Sequence, residues 1–387
     1  MSHLDGVRVC MVTSAHSPED DRIFFKEARS LAKAGAVVTI LHPSGKNLPR
    51  ETCEVHFRGH AGGGGWARRL STIKHIAEAI RAQPFDIFHC HEPDSLAAAL
   101  LAKGSRGAKI IYDSHEMWGA TFAERFPRPL WSSAQWAFQR LERPMVARCD
   151  GAIGASWAIS DFLVGILDKD KVRTVLNVPV QSVFGVSVPR VWGATTILCH
   201  DGHLTFNRGL KTMAEAVRIV AEKHPVIFKI VGDVFEEERL WLDEFVERHK
   251  LEQVITRTGW LPYEQVGKAL SECHIGLIAL QRTPNNIVTS SNKVFNYMLY
   301  GIPFIAPSFR LSKIKLVEQH QCGVLADSSD PRAFASVISR MIEDRAGTEG
   351  MAARALEASR TRYRWEHMEP ILLNLYEQVL QAGPAHG

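Results

Sequence analysis

The sequence predicts an α/β protein of two domains, each with a doubly wound parallel sheet and helices on both of its faces. Short apolar runs alternate with longer amphipathic segments along nearly the whole chain, and these segments are long enough to form crossover helices. One stretch rich in proline and glycine interrupts the alternation near the middle. The length of 387 residues also suits two or three domains.

The first half of the chain opens with a strand that is apolar on both faces. Residues 7–13 are broken only by Arg8, as expected for a strand buried in a parallel sheet. Apolar side chains then recur at helical spacing over residues 23–32, and Gly35 marks the end of that helix. The same alternation predicts strand 37–41, helix 66–81, strand 87–90, helix 95–103, strand 109–112, helix 131–146 and strand 151–155.

Residues 176–193 interrupt this alternation. They contain Pro179, Gly185, Pro189 and Gly193 and show no helical periodicity, which predicts a linker. The alternation resumes with strands at 195–199, 226–231, 254–256, 275–279 and 303–306 and helices at 208–222, 236–250, 263–271, 293–300, 331–343, 349–360 and 366–381.

These patterns define two Rossmann-like domains. We expect an N-terminal domain over residues 1–180, a linker over residues 181–194, a C-terminal domain over residues 195–362 and a closing helical segment over residues 363–387. Ligands of doubly wound sheets bind at the carboxyl ends of the strands, so a cleft between the two domains is the expected site.

Composition and charge exclude several classes of protein. The 46 basic and 42 acidic side chains give a net charge of +4, which is too weak to indicate a nucleic-acid binder. No apolar run approaches the roughly 20 residues of a membrane span, and the first 13 residues, which include Asp5, lack the pattern of a secretory signal. Seven cysteines occur singly, which indicates reduced thiols and a cytoplasmic protein.

The loop from Asp201 to Gly209 follows the first strand of the second domain and enters a helix. Such a loop presents unpaired N–H groups and the positive end of the helix dipole, which favour a phosphate. Arg208 is expected in the first helical turn, where the dipole disfavours a cation unless an anion is bound, and its guanidinium suits phosphate oxygens. An ordinary tight turn with a solvated arginine is the alternative.

A second helix start is expected at residues 289–293. Ser290, Ser291 and Asn292 are typical N-cap residues, while Gly301 and Pro303 end the helix. One turn into this helix, Asn296 is placed to reach a ribose hydroxyl. Capping for stability alone is the alternative, but two helix starts in one domain favour a diphosphate.

Histidines follow two neighbouring strands of the first domain. His89, His91 and Glu92 follow one strand, and His115 follows the next. A metal site is disfavoured because no third or fourth ligand is placed by the sequence. We expect His89 to point into the sheet and His115 to face the cleft, where it can bond a substrate hydroxyl or help to move a proton.

The loop of residues 14–22 leaves the first strand at the same sheet edge. It lacks the G-x-G-x-x-G pattern, which argues against a nicotinamide dinucleotide. Its acids, Glu19, Asp20 and Asp21, either begin a helix or bind an acceptor.

Two segments of the first domain combine basic and aromatic residues. A helix with Trp66 at its start carries Arg68, Arg69, Lys74 and Arg81, and the second segment contains Phe122, Arg125, Phe126, Arg128, Leu130, Trp131, Trp136 and Phe138. Such a surface suits peripheral contact with an anionic membrane, although aromatic residues more often belong to a core.

At this point the chain resembles a known family, the retaining nucleotide-sugar glycosyltransferases of family 4, which have the GT-B fold. The resemblance covers nearly the whole length and depends on the order and spacing of its motifs. Its carriers are residues 21–24 followed by Gly35, 86–91, 112–116, 177–179, 202–209, 231–233, 259–261, 293–303 and 363–366.

The resemblance implies roles for particular residues. In the family's Gly-Arg-x4-Lys-Gly pattern two cations hold the donor diphosphate; here His203, a weaker cation at neutral pH, occupies the arginine position and Arg208 the lysine position. The family's Glu-x7-Glu signature falls on Val288 and Asn296, so both glutamates are absent. In the family the second glutamate grips the ribose and the first contacts sugar hydroxyls. His115 matches the histidine that approaches the donor sugar and the β-phosphate.

The resemblance therefore implies a site made from both domains. The catalytic candidates are His115 and Arg208; the donor-binding candidates are Gly202, His203, Asn207, Arg208, Gly232, Ser290, Ser291, Asn292 and Asn296; and the acceptor-binding candidates are His16, Asp21, Arg22 and His91. The N-terminal domain would bind the acceptor, the C-terminal domain would bind the nucleotide sugar, and the closing helix would return to the N-terminal domain.

The implied function is transfer of a hexose-type sugar from a nucleotide diphosphate sugar to a glycan, lipid-linked or other hydroxyl acceptor with retention of configuration. No metal and no cofactor beyond the donor co-substrate are expected. The location is expected to be cytoplasmic, with peripheral contact to the inner membrane face. A non-catalytic GT-B partner subunit, favoured by the missing glutamates, and a nucleotide-sugar epimerase are the alternatives.

Overall fold

The computed structural model describes residues 4–43, 55–60, 66–103, 107–184, 192–288, 292–309 and 312–382, apart from the side chains at 66–68, 184 and 312–315. The chain divides into two compact units. The N-terminal unit comprises Met1–Asn177 and Glu366–Gly387, and the C-terminal unit comprises Val178–Trp365.

The N-terminal unit is built on a parallel sheet of seven strands. The strands are β1 (Arg8–Val12), β2 (Val37–His42), β3 (Val55–Gly59), β4 (Ile87–Cys90), β5 (Lys109–Ser114), β6 (Gly151–Gly154) and β7 (Val172–Thr174). Their order across the sheet is β3-β2-β1-β4-β5-β6-β7, and every pair is parallel. The carboxyl ends of the central strands β1, β4 and β5 therefore lie side by side.

Helices connect these strands. They are α1 (Arg29–Lys33), α2 (Trp66–Arg81), α3 (Pro93–Lys103), α4 (Trp118–Ala123), α5 (Trp131–Val146) and α6 (Trp157–Val164), with short 3-10 turns at Arg128–Leu130 and Lys169–Lys171. A π-helical segment, Ile23–Ala28, leads into α1. The buried side chains of this unit, including Tyr112, Ile110 and Leu96, form one apolar core around the sheet.

The C-terminal unit repeats the architecture with six parallel strands. Its elements in chain order are α7 (Gln181–Phe184), β8 (Thr196–Asp201), α8 (Leu210–Ala221), β9 (Val226–Val231), α9 (Glu236–His249), β10 (Ile255–Arg257), α10 (Tyr263–Leu270), β11 (Ile275–Leu277), α11 (Pro284–Val288), α12 (Asn292–Leu299), β12 (Phe304–Pro307), α13 (Ser312–His320), β13 (Gly323–Ala326), α14 (Pro331–Glu343) and α15 (Arg345–Arg362). The strand order is β10-β9-β8-β11-β12-β13, with β8 near the middle.

The last helix, α16 (Trp365–Gln381), belongs almost entirely to the N-terminal unit. Leu372, Leu375 and Tyr376 on this helix have no exposed surface. Because a Cβ atom on Gly151 would lie 3.1 Å from Cδ1 of Leu375, the helix packs directly on strand β6.

The predicted fold class, two doubly wound parallel sheets, is confirmed. Several short elements were not predicted: β3, β7, β13, α4, α6, α7, α11 and α13. Within residues 176–193, which show no helical periodicity and were predicted to be a linker, Gln181–Phe184 forms one helical turn; a single turn is too short to produce periodicity. Gly185 and Pro189 of that segment, and the Gly62–Gly65 run, lie outside the described residues.

The contact between α16 and the sheet predicts a large stability effect. We expect Leu375→Ala to lower the free energy of unfolding by about 2–5 kcal/mol, because the fully buried side chain would leave a cavity. Urea denaturation followed by circular dichroism measures this change. Leu141→Ala removes a leucine that is 72% exposed and serves as the control, with an expected change under about 0.5 kcal/mol. Equal effects of the two variants would contradict the packing.

Candidate active site

Two turns meet at the carboxyl edge of the C-terminal sheet. Gly202 follows β8 and Gly232 follows β9, and the backbone N–H of Gly202 donates to the carbonyl of Val231 at 2.8 Å. Gly232 has φ +144°, and a Cβ atom there would lie 2.6 Å from the carbonyl carbon of Gly202. Glycine is therefore required for this close approach, and it leaves an open backbone surface beside the strand ends.

The sequence predicted Arg208 in the first turn of helix α8. In the structure Arg208 lies before the start of that helix. Gly209 is the N-cap residue with φ +91°, and the helix begins at Leu210. A Cβ atom on Gly209 would lie 2.0 Å from the carbonyl oxygen of Ala279, so this tight turn fixes where the helix starts. The guanidinium of Arg208 donates from Nη1 to the carbonyl of His203 at 3.0 Å. The turn, and not repulsion by the helix dipole, sets the position of this cation.

Helix α12 brings a lysine to the same strand end. Asn296 donates from Nδ2 to Oδ2 of Asp201 at 2.7 Å, and Lys293 lies one turn earlier on the same helix face. Lys293 is 7% exposed. Burial lowers the pKa of Lys293 to about 7, with the charge of Arg208 adding to the effect and Asp201 opposing it. A buried lysine whose protonated form is disfavoured by burial and by a nearby guanidinium is poised to receive an anion.

Lys293 and Asp201 were not among the site residues predicted from the sequence. We call Asp201, His203, Arg208, Lys293 and Asn296 the diphosphate cluster. The available signal was Lys293 at the start of a short helix, three residues before Asn296. Its partner Asp201 belongs to a different strand, so only the fold shows that the two are close.

His203 is not a cation in this cluster. Its ring stacks on that of Phe235 with centroids 5.1 Å apart and planes 18° apart. Burial and the nearby charge of Arg208 lower the pKa of His203, so the ring is neutral at neutral pH. Of the two cation positions in the sequence pattern, only Arg208 carries a full charge.

The remaining donor candidates lie around the same edge. Asn207 is exposed, and its carbonyl accepts from the backbone N–H of Gln281 at 2.9 Å. Asn292 is exposed at the first position of α12, and Val288 is half-buried at the end of α11. Ser290 and Ser291 lie outside the described residues.

The N-terminal unit contains a buried ion pair at its own carboxyl edge. Arg22 donates from Nε and Nη2 to the two carboxylate oxygens of Asp113 at 2.8 and 2.9 Å, and from Nη1 to the carbonyl of Val175. Burial alone would raise the pKa of Asp113, but the Arg22 guanidinium holds it well below its usual range. Asp113 is therefore ionised, although its side chain has no exposed surface.

Glu27 lies beside this pair in a different state. Its Oε1 is 3.0 Å from Nη2 of Arg22. Burial raises the pKa of Glu27 well above its usual range, and the charge of Asp113 adds to the rise against the opposing charge of Arg22. A protonated Glu27 leaves the buried group of Arg22, Asp113 and Glu27 without net charge.

Three histidines surround the ion pair. His115 contacts Oδ2 of Asp113 through Nε2 at 3.0 Å, and the same Nε2 is 3.1 Å from Nδ1 of His91. His89 contacts the hydroxyl of Tyr376 through Nδ1 at 2.6 Å. Burial lowers the pKa values of His89 and His91, so both rings are neutral. We call Arg22, Glu27, His89, His91, Asp113 and His115 the histidine cluster.

Two of the residues predicted to bind an acceptor, Arg22 and His91, are buried in this structure. Arg22 is 1% exposed and His91 has no exposed surface, and Arg22 uses its donors on Asp113 and Val175. Both side chains lie behind His115, whose side chain keeps 11% of its surface exposed.

The statement that no third metal ligand is placed also needs correction. Ligand atoms of Glu27, His89, His91 and Asp113 lie within 4.8 Å of one another. However, Oδ2 of Asp113 already accepts from Nε of Arg22 and faces Nε2 of His115. The guanidinium also places a positive charge against both carboxyl groups, so the arrangement favours an ion-pair network over a bound cation.

His16 forms the partly exposed front of this edge. Its ring centroid is 5.0 Å from that of His115, and its Nδ1 is 3.0 Å from Oδ2 of Asp20. Burial lowers the pKa of His16, but the hydrogen bond and charge of Asp20 and the charge of Glu92 outweigh burial and raise it to about 9. His16 is therefore a cation at neutral pH.

The acids of the first loop have separate tasks. Asp20 accepts from the backbone N–H groups of Arg22 and Ile23, which is the helix-start role considered from the sequence. Asp21 pairs with Nζ of Lys26 at 2.9 Å and keeps 36% of its side chain exposed.

A cavity of about 530 Å³ lies at the opposite edge of the N-terminal sheet. Arg8, Val37 and His56 line it, all near the amino ends of their strands. Arg8 is already paired there with Asp86. Since ligands of such sheets bind at the carboxyl ends, we do not assign the reaction to this cavity.

Family models match both units. The model described as Glycosyltransferase Family 4 matches residues 22–178, and the model described as Glycosyl transferases group 1 matches residues 195–344. The chain belongs to glycosyltransferase family 4. No curated protein sequence matches this glycosyltransferase.

Solved structures agree with this family in fold. The glycosyltransferase is similar to sucrose-phosphate synthase from Thermosynechococcus elongatus, with TM-score 0.81, 15% identity and coverage of 97% of this chain and 100% of that one. A glycosyltransferase from Rickettsia africae has TM-score 0.73 and 15% identity, with coverage of 98% and 100%. HepE from Anabaena, solved with UDP and glucose, has TM-score 0.71 and 13% identity, with coverage of 96% and 99%. The fold is GT-B.

Lys293 predicts an unusual pH dependence of the stability of this glycosyltransferase. Its pKa is about 7 when folded and 10.5 ordinarily, so between these values the unfolded chain binds more protons and stability rises with pH. We expect the free energy of unfolding of the unliganded wild type, minus that of Lys293→Met, to increase over this window by at most about 1.4 kcal/mol per pH unit. Chemical denaturation at several pH values measures the difference.

Lys223→Met, at an exposed lysine of the same unit, is the control. A difference between wild type and Lys293→Met that stays flat from pH 7 to about 10 would contradict the burial of Lys293.

Proposed function

We propose that this glycosyltransferase moves a hexose-type sugar from a nucleotide diphosphate sugar to a hydroxyl acceptor, which is a glycan or a lipid-linked intermediate, with retention of configuration. The observation that carries the proposal is the geometry of the diphosphate cluster. Asn296, on the helix that carries the buried Lys293, donates to Asp201 at the carboxyl end of β8, and Arg208 donates to the carbonyl of His203 in the turn that follows. The glycine turns at Gly202 and Gly232 follow β8 and the neighbouring strand β9 at the same sheet edge. A diphosphate would neutralise the two cations.

The cluster also suits the chemistry of the departing group. As the sugar–phosphate bond breaks, negative charge develops on the nucleoside diphosphate, and fixed cations stabilise that charge. In this proposal Arg208 and Lys293 supply the positive charge, and no metal or further cofactor is needed. Binding of the diphosphate favours protonated Lys293, whose pKa of about 7 in the free protein leaves it only partly charged at neutral pH.

Asp201 supports a catalytic protein over a non-catalytic partner subunit. The sequence pattern places the second family glutamate at Asn296, and the structure brings the Asp201 carboxylate to 2.7 Å from the Asn296 amide. A buried carboxylate is thus present next to the position that lacks one. An epimerase remains an outcome of the assay, since it would convert the donor without an acceptor.

Retention of configuration is compatible with the burial of the carboxyl groups of Glu27 and Asp113. In the family-4 scheme the acceptor attacks the face from which the diphosphate leaves, and the leaving phosphate takes the acceptor proton. No carboxylate nucleophile is needed, and Glu27 and Asp113 are buried without exposed surface. His115 is proposed to face the donor sugar, with His16 and Asp21 at the acceptor.

Uridine diphosphate sugars are the first donors to test. Solved structures of the similar HepE from Anabaena contain UDP or UDP-glucose. A structure of TarM from S. aureus contains UDP and α-GlcNAc-glycerol. GDP- and ADP-sugars complete the panel, with a rise in melting temperature as the readout of binding.

Removal of the Arg208 guanidinium tests the proposed function. We expect Arg208→Ala to lower kcat for sugar transfer by about 10²–10³-fold, because one stabilising donor to the developing charge is lost. Transfer is measured as release of nucleoside diphosphate with acceptor present. Arg218→Ala is the matched control, since Arg218 pairs with Glu215 and Glu222 on the surface of α8. Turnover by Arg208→Ala equal to that of Arg218→Ala would reject the site.

We also propose cytoplasmic location with peripheral contact to an anionic membrane through α5 and the turn before it. Trp136 and Leu141 are 63% and 72% exposed, and the guanidinium of Arg140 lies 5.3 Å from the Trp136 ring centroid. Phe122 instead packs on Phe126 and Phe138 and is partly internal. None of the described helices has the length and apolar character of a membrane span. The side chains of Trp66 and Arg68 lie outside the described residues.

Vesicle sedimentation tests this surface. We expect wild type to bind vesicles of phosphatidylcholine with phosphatidylglycerol more tightly than phosphatidylcholine alone, and Arg140→Gln to bind about fivefold more weakly, because one cation contributes about 1 kcal/mol. Trp136→Ala should weaken binding further, whereas Trp260→Ala, at a tryptophan of the C-terminal unit that is 69% exposed, should not. Binding that is indifferent to lipid charge would contradict the proposal.

A further inference from the structure

The imidazole of His115 is held on one side only. Its Nε2 is 3.0 Å from Oδ2 of Asp113 and 3.1 Å from Nδ1 of His91. No hydrogen bond joins its Nδ1 to any residue in the described part of the chain, and 11% of the side chain is exposed. One ring nitrogen therefore faces the buried network and the other is left for a ligand.

The state of Asp113 decides which nitrogen carries the proton. An ionised carboxylate has no proton to donate, and Asp113 is kept ionised by the two hydrogen bonds from Arg22. The ring nitrogen that faces it must then be the N–H. The neutral ring of His91 is compatible with this assignment, since its Nδ1, 3.1 Å from the same nitrogen, accepts from that N–H when its own proton is on Nε2.

We propose that Asp113, fixed by Arg22, is a positioning residue that selects the Nε2–H tautomer of His115 and leaves Nδ1 as a hydrogen-bond acceptor for a sugar hydroxyl. This inference rests on the proposed function, which places a sugar at His115, and adds the residue that sets its donor or acceptor role. A carboxylate that orients an imidazole through its second nitrogen has the same effect in other catalytic sites and metal sites.

The charges of the cluster make this arrangement stable in a buried place. Arg22 and Asp113 cancel, and burial favours the protonated form of Glu27, so the buried group behind His115 carries no net charge. Arg22 is fixed in turn by its bond to the carbonyl of Val175. Rotation of the carboxylate toward another partner would remove both of its hydrogen bonds with the buried guanidinium.

Asp113→Asn is the deciding variant. Arg22 donates to both oxygens of Asp113, so in either orientation the NH₂ group of the new amide faces one Arg22 donor, and the negative charge that holds the Nε2–H form of His115 is lost. The His115 ring would then populate the Nδ1–H form and present a donor to the ligand. We expect kcat to fall about 100-fold or more, while the KM for the nucleotide sugar stays nearly unchanged because Asp113 does not touch it.

The tautomer is measured directly by NMR of ring-¹⁵N-labelled histidine in the full-length protein, with His115→Gln identifying the signal. We expect the Nε2–H form in wild type and a larger share of the Nδ1–H form in Asp113→Asn. Asp86→Asn is the matched control, because Arg8 and Asp86 form an equivalent pair at the opposite edge of the same sheet. That variant should keep both the tautomer and kcat.

The wild-type spectrum alone keeps the inference open to refutation if Asp113→Asn does not fold. An Nδ1–H form of neutral His115 in wild type overturns it, and so does a tautomer switch in Asp113→Asn with unchanged kcat. Failure of the proposed function gives a different pattern: the tautomers follow the expectation, but no nucleotide sugar is turned over by wild type.

Discussion

Parallel pairing of strands places all the chemistry of this glycosyltransferase at sheet edges. In a parallel sheet every strand ends at the same edge, so the residues that follow β1, β4 and β5 meet although they are far apart in sequence. His16, His91 and His115 are brought together in this way, and the ring of His115 contacts both others. In the C-terminal unit, β8 and β9 bring Gly202 and Gly232 into contact by the same rule.

The two edges solve the problem of buried charge in opposite ways. In the histidine cluster, Arg22 and Asp113 balance each other and Glu27 is neutral, so no ligand is needed to stabilise the group. In the diphosphate cluster, burial and the charge of Arg208 disfavour the protonated form of Lys293, and Asp201 favours it. A bound anion would also favour the protonated form. The histidine cluster is therefore suited to hold a side chain in place, and the diphosphate cluster is suited to bind an anion.

The sequence was sufficient for features that depend on local pattern. Apolar runs of four to six residues fixed the main strands, and the glycine turn at residues 202–209 located the edge of the second sheet. The start of α8 was misplaced because the contact between Gly209 and Ala279 joins residues 70 positions apart. The single-turn helix α7 left no periodic signal at all.

The partners of charged and polar side chains could not be predicted from the sequence for a different reason. An arginine is expected at the surface unless a partner is known, so Arg22 was interpreted as an acceptor contact. Its burial depends on Asp113, which lies 91 residues away. Asn296 and Asp201 are likewise far apart in sequence, at 95 residues. The absence of the family glutamates can be seen in the sequence. That a carboxylate lies beside Asn296 can be seen only in the structure, which brings the end of β8 next to α12.

The placement of that carboxylate changes how the substitution at Asn296 is understood. A glutamate at position 296 would put a second negative charge against Asp201 in a buried place, where like charges repel strongly. Asparagine instead donates to Asp201 and keeps it oriented. Because Asp201 on β8 already supplies a carboxylate, an amide at position 296 on α12 is more favourable than a second carboxylate. The absence of the signature glutamate is therefore no argument for loss of ligand binding, because a carboxylate, an amide and two cations remain at the same strand end.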